Sequence, residues 1–235
     1  KRPIAEAEIT LIGSDGTLQN TKSKLDGSYT FRLSQYTDYI VVGSYQGYLK
    51  NKVQITTNNI SDNKTFEENV ELLTMSKPIE IPNILYESGQ WTLNDESKRA
   101  LELLTKLLED NPNITIELGA HTDMIGDDAA NMLLSKRRAQ AIVAYLEERS
   151  YAPERFVAKG YGESIPVVVT DEIARLDTAF VVGQSLTSEF IKNLPKETQE
   201  IANQINRRTE IKILSTDYIP RPEFFLKLKQ KFSSR

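Results

Sequence analysis

Up to about residue 75 the chain alternates apolar and polar positions in short runs: Ala7–Ile12, Asn20–Lys24, Ser28–Leu33, Tyr39–Tyr45, Tyr48–Thr56 and Phe66–Leu73. Turn residues separate them, with Ser14-Asp15-Gly16 and Asp26-Gly27 the clearest. A period of two with this spacing and no helical stripe predicts six or seven strands in a small β-sandwich over residues 1–75. Such a block is near the lower size limit for an independent core.

Around Pro78 the chain reads as a short stiff linker, residues 76–80, and the period then changes. Ile81–Tyr86 reads as a strand. In Asn94–Glu109, Ala100, Leu103, Leu104, Leu107 and Leu108 recur at helical spacing, with Asn94 as cap and Asn111-Pro112 as stop. Ile114–Leu118 is a strand, Asp127–Arg149 a second amphipathic helix, and Arg155–Lys159 a strand closed by Gly160-Tyr161-Gly162. Thr187–Ile205 is helical with a break at Pro195, and Arg208–Leu214 alternates once more. The order β-α-β-α-β-(α)-β predicts a mixed sheet with helices packed on it over residues 81–215, so the whole chain is α+β. Residues 216–235 form a basic tail around Phe224 and Phe225, read either as a docked helix or as an extension.

Composition narrows the function classes. Hydrophobic residues make up 39% and charged residues 26% of 235 positions, as in ordinary globular protein. No apolar run approaches the length of a membrane span. The net charge of −4 argues against a nucleic-acid partner, which needs a basic face. The absence of cysteine removes thiol catalysis, thiolate metal sites and disulfides together. His121 is the only histidine, and the chain shows neither a metal-ligand spacing nor a nucleophile beside it, so no cofactor and no catalytic residue is expected. The start Lys1-Arg2-Pro3, with neither Met nor an apolar leader, reads as a piece of a longer precursor.

The informative chemistry lies in His121-Thr122-Asp123-Met124-Ile125-Gly126, followed by Asn131, Leu134-Ser135 and Arg137-Arg138-Ala139. Asp123 leaves a strand and enters a Gly-containing loop, a place where a rigid base presents side chains. Arg138 has Leu134, Ala141, Ile142 and Tyr145 at −4, +3, +4 and +7, which puts a guanidinium in the middle of an apolar stripe. A lone charge there is costly, and its planar fork suits a carboxylate. Two readings fit: an internal salt bridge between Asp123 and Arg138, or a trap for a zwitterion in which Asp123 takes an ammonium and Arg138 a carboxylate.

Ile81 to Leu214 resembles the OmpA-like, peptidoglycan-binding domain family. The matching residues run in order: Ile81-Pro82-Asn83-Ile84-Leu85-Tyr86, Leu93, Glu96-Ser97-Lys98, Asn111-Pro112, His121-Thr122-Asp123, Gly126, Asn131, Leu134-Ser135, Arg138-Ala139, Gly160-Tyr161-Gly162-Glu163, Pro166 and Asn206-Arg207-Arg208-Thr209-Glu210. The resemblance implies a site for the diaminopimelate of an uncrosslinked stem peptide, with its ammonium on Asp123 and its carboxylate on Arg138. It also implies lining by Thr122, Asn131 and Leu134, by the loop holding Ser88 and Gly89, and by Arg208 as a further contributor. Ser88-Gly89 departs from the family's usual Phe-Asp, Ala120 replaces its Gly or Ser before the histidine, and Pro166 to Asn206 is longer than its usual connection.

Ala5–Leu11 and Asp26-Gly27-Ser28-Tyr29-Thr30-Phe31 resemble a carboxypeptidase regulatory-like sandwich. The combination resembles the C-terminal half of PorE-type components of the type IX secretion system. These resemblances imply a non-enzymatic periplasmic anchor, associated with the outer membrane through a preceding segment, with peptidoglycan and other envelope or secretion proteins as partners. Two alternatives remain: a protein-interaction scaffold with a vestigial site, and a peptidoglycan hydrolase. The first draws on the Ser88-Gly89 departure and the second lacks visible catalytic groups. Trp91, beside the loop, reads either as packing on a helix start or as a platform for a sugar.

Overall fold

The computed structural model describes residues 2–60, 62–84, 86 and 89–220. Ser88 and residues 221–235, including Phe224 and Phe225, lie outside the described residues. Contacts divide the chain into two compact units, residues 1–77 with 106–111, and residues 78–105 with 112–235.

In the first unit four strands, β1 (Glu8–Gly13), β2 (Leu18–Lys22), β3 (Asp38–Ser44) and β4 (Asn51–Thr56), form an antiparallel sheet in the order β2-β1-β3-β4. Alternate residues Ile9 and Leu11 of β1 and Tyr39 and Val41 of β3 are buried together, as a half-buried strand requires. The expected strands Ser28–Leu33 and Phe66–Leu73 join no ladder among the described residues. Their alternation is real, because Tyr29, Phe31, Leu33 and Val70 pack on that core. A period of two reports which way side chains face, not whether the backbone finds a ladder partner.

The second unit holds β5 (Ile79–Glu80), α1 (Asp95–Asp110) up to Thr105, β6 (Thr115–His121), α2 (Asp128–Glu148), a 3₁₀ turn (Pro153–Arg155) and β7 (Phe156–Gly162). There follow α3 (Asp171–Ala174), α4 (Ser188–Lys192), α5 (Lys196–Asn206) and β8 (Thr209–Ser215). The sheet order is β5-β8-β6-β7, with β6 parallel to β7 and antiparallel to β8. The parallel pair needs a crossover, and α2 supplies it. The strand expected at Ile81–Tyr86 joins no ladder among the described residues: the two-residue β5 lies just before it, in the expected linker, and Pro82-Asn83 make a turn in which Asn83 takes φ +63°.

Both long helices begin where side-chain oxygens replace missing backbone partners. Asn94 accepts from the Ser97 amide at 2.8 Å, and Asp127 from the Ala130 amide at 2.9 Å. The buried stripe of α2 is Asn131, Ser135, Arg138, Ala139, Ile142, Tyr145 and Leu146, so the arginine does sit mid-stripe. Strand β7 approaches this helix closely. A Cβ on Gly160 would lie 2.3 Å from the Lys136 amide nitrogen, and the Gly162 amide donates to Ser135 Oγ at 2.8 Å. The motif Gly160-Tyr161-Gly162 is thus the counterpart of Leu134-Ser135 across one contact.

Residues between Pro166 and Asn206 build a small core of their own from Val169, Phe180, Leu186, Ile191 and Ala202, and Met124 packs against it. Asn206, 2% exposed, ties its base: Oδ1 accepts from the Val167 amide and Nδ2 donates to the Leu186 carbonyl, each at 2.9 Å. Among the described residues no helix is long and apolar enough to cross a membrane.

Candidate functional site

Strand β6 is buried almost throughout and delivers Asp123 just past its end. Asp123 Oδ1 accepts from the Ile125 amide at 3.1 Å, which closes a tight turn. Its Oδ2 receives Arg207 Nη1 at 2.6 Å, while Arg207 Nη2 reaches Glu200 at 2.7 Å. The Asp123 side chain is 14% exposed and the Arg207 side chain 34%. Among the described residues the ion pair of Asp123 is therefore with Arg207, at the end of α5, and not with Arg138.

Arg138, 7% exposed, donates from Nε to the Gln90 carbonyl at 3.0 Å and lies over the Tyr86 ring, 4.6 Å from its centroid. The Tyr86 hydroxyl donates to the Arg138 carbonyl at 3.4 Å. Burial lowers the pKa of the guanidinium; Tyr86 and Asp123 oppose this, and Arg207 adds to the lowering. Arg138 thus shares one electrostatic environment with Asp123 and Arg207, and an arginine keeps its charge through such shifts. Burial likewise raises the Tyr86 phenol, with Arg138 pulling the other way.

Asn131 fastens the loop to the helix. Its Nδ2 lies within bonding distance of the Asp123 carbonyl at 3.4 Å, the Ile125 carbonyl at 3.2 Å and Glu163 Oε2 at 2.9 Å. Thr122 is 4% exposed and its hydroxyl meets no hydrogen-bond partner among the described residues. Leu134 is half-buried one turn before Arg138. Gly89 is exposed at φ +69°, in a turn that suits glycine.

Thr122, Asp123, Asn131 and Arg138 thus gather around one loop and helix. Arg208 does not join Asp123: its Nε meets Glu210 at 3.3 Å and its Nη1 the Ile165 carbonyl at 3.2 Å. The side chain turned to the aspartate is its neighbour Arg207. Sequence reasoning also passed over Tyr86 and the Gln90 carbonyl. Trp91, 39% exposed, carries the Arg137 guanidinium at 4.5 Å from its ring centroid.

His121 belongs to a separate polar cluster. Its ring stacks on Tyr161, with centroids 4.8 Å apart, and Nε2 lies 3.2 Å from Glu210 Oε1. That distance suits an ion pair, yet neither ring nitrogen meets hydrogen-bond geometry. Burial pushes the Glu210 carboxyl up, but His121 and Arg208 outweigh it and hold it below its ordinary value. A depressed carboxyl stabilises the fold above the unfolded-state value, and that contribution disappears as pH falls through the folded-state value. In urea titrations from about pH 6 to about pH 3, the unchanged protein should lose more stability than Glu210→Gln. Parallel losses would show that the cluster contributes nothing. No group of three His, Cys, Asp or Glu side chains among the described residues is placed to hold a metal ion.

Residues 85–175 match the OmpA family. A stretch of 64 residues is 44% identical to outer membrane porin F of Pseudomonas fluorescens, covering 27% of this chain and 20% of that protein. A stretch of 85 residues is 34% identical to the photosystem I P700 chlorophyll a apoprotein A2 of Gloeobacter violaceus, covering 36% of this chain and 10% of that one. The chain spans a fifth or less of the length of these two relatives. Among solved structures, the peptidoglycan-associated lipoprotein from Burkholderia pseudomallei is 18% identical, with a TM-score of 0.37, over 53% of this chain and 83% of that one. The match to the OmpA family spans β6, α2 and β7 and so takes in Asp123 and Arg138.

Proposed function

We propose that this domain binds peptidoglycan without covalent chemistry, by holding the free zwitterionic end of a diaminopimelate side chain, and so anchors an envelope assembly to the wall. The observation that carries the reading is a nearly buried Arg138 on the stripe of α2 whose Asn131 also fastens the loop that presents a partly buried Asp123. A guanidinium can donate two parallel hydrogen bonds to a carboxylate, and a carboxylate accepts an ammonium beside it. The buried Thr122 hydroxyl adds a further polar group at the same loop.

The first unit serves, in this reading, as a spacer or docking module toward other envelope proteins, in the periplasm near the outer membrane. Its likeness to a carboxypeptidase regulatory-like domain, and that of the pair to type IX secretion components, rests on the residue pattern quoted above.

Co-sedimentation with purified, insoluble sacculi tests the proposal. The protein should pellet with the wall and be released by free meso-diaminopimelate in excess. A well-folded protein left in the supernatant would favour the scaffold reading, with the site inactive.

A further inference from the structure

Among the described residues each oxygen of the Asp123 carboxylate already has a partner before a ligand arrives. Oδ1 takes the Ile125 amide at 3.1 Å, and Oδ2 takes Arg207 Nη1 at 2.6 Å. Arg207 in turn is held by Glu200, 63% exposed on α5, at 2.7 Å. Among the described residues Arg138 and Arg207 are the guanidiniums nearest Asp123, with Glu200 and Glu163 at the edge, the latter bonded to Asn131. An incoming ammonium must share Asp123 with a cation already seated on it. A ligand that is only a cation gains little from a carboxylate so engaged, and it is repelled by the Arg207 guanidinium seated there. A ligand that carries its own carboxylate next to the ammonium offsets that repulsion.

We infer that Arg207 is a specificity-determining residue of this site, set so that a diamino acid bearing a side-chain carboxylate is accepted and a simple amine such as lysine is rejected. The inference rests on the zwitterion reading given above. Specificity is a difference of two affinities, and a cation placed against the wrong ligand is an ordinary way to enlarge it. Glu200 tempers the effect by drawing part of the Arg207 charge away from Asp123. The longer connection between Pro166 and Asn206, which carries α5, therefore contributes directly to the choice of ligand.

The test measures the affinities of two soluble tripeptides, L-Ala-γ-D-Glu-meso-diaminopimelate and L-Ala-γ-D-Glu-L-Lys, for the full chain and two variants. The unchanged protein should prefer the diaminopimelate peptide. Arg207→Gln should shrink that preference by roughly tenfold, the lysine peptide gaining relative to the other. Glu200→Gln should move the ratio the opposite way, by about twofold because the group is exposed and screened. A merely structural role for Arg207 would weaken both peptides alike and leave the ratio fixed. An unaltered ratio in both variants, with the diaminopimelate peptide still bound, overturns the inference and spares the proposed function. Failure of the unchanged protein to bind either peptide overturns both. Glu200→Gln alters only an exposed side chain, so it decides the matter even if Arg207→Gln does not fold.

Discussion

Arg138→Ala is expected to abolish retention on sacculi while the chain stays folded. The arginine is the group offered to the ligand carboxylate, and truncating one member of a buried, hydrogen-bonded charge pair costs about 2–5 kcal/mol. That corresponds to a loss of roughly thirty- to several-thousand-fold in affinity. Arg138→Lys sharpens the result. It keeps the charge but loses the planar fork, and with it the Nε bond to the Gln90 carbonyl and the stacking on Tyr86. It should therefore recover little binding, about a tenth of the original affinity or less. Circular dichroism would confirm that both variants fold. Binding by Arg138→Ala at the original strength would remove this residue from the site.

The second large effect concerns the contact that supports the site. Gly160→Ala places a methyl 2.3 Å from the Lys136 amide nitrogen and 2.6 Å from Ser135 Oγ. Helix backbone cannot yield as a flexible side chain does, so β7 and α2 must separate. Overpacking of this kind costs about 1–3 kcal/mol, and the backbone clash places Gly160 at the upper end. For a domain of this size the midpoint should fall by about 2–4 °C per kcal/mol. Thermal unfolding measures it directly, and an unchanged midpoint would show that the strand and helix are not packed as described. Gly16→Ala makes a useful contrast: its Cβ meets nothing within 4 Å, although φ +89° strains any side chain there. Its cost comes from the backbone alone.

Much of the site was legible because its residues break local rules. A charge at the centre of a helical apolar stripe is conspicuous, and Arg138 is buried where the period placed it. An acid directly after a strand and before a capped helix is equally visible, and Asp123 lies there. The two neighbouring arginines were not separable by such reasoning. Side chains at the start of a strand point to alternate faces, so the choice between Arg207 and Arg208 depends on a one-residue register that no local pattern sets. β8 begins at Thr209, which sends Arg208 to Glu210 and leaves Arg207 for Asp123. The Gln90 carbonyl was invisible for a simpler reason: every residue has one. In the first unit the alternation of Ser28–Leu33 located Tyr29, Phe31 and Leu33 on the core but said nothing about ladders, which need a partner with free backbone groups.

The staple at Asn206 has a consequence for how freely this chain can be altered. Because Asn206 ties Val167 and Leu186 together at the root of the connection, the residues beyond form a loop whose ends are already closed. Additional length beside the exposed Val181 and Val182, ahead of the backbone bonds that tie Gly183 and Gln184 to Val169, costs only about 0.6 kcal/mol for each doubling of that loop. Arg207 follows the staple directly and does not feel the change. The two exposed valines can therefore be redesigned, or carry a reporter, while the residue that meets Asp123 stays in place.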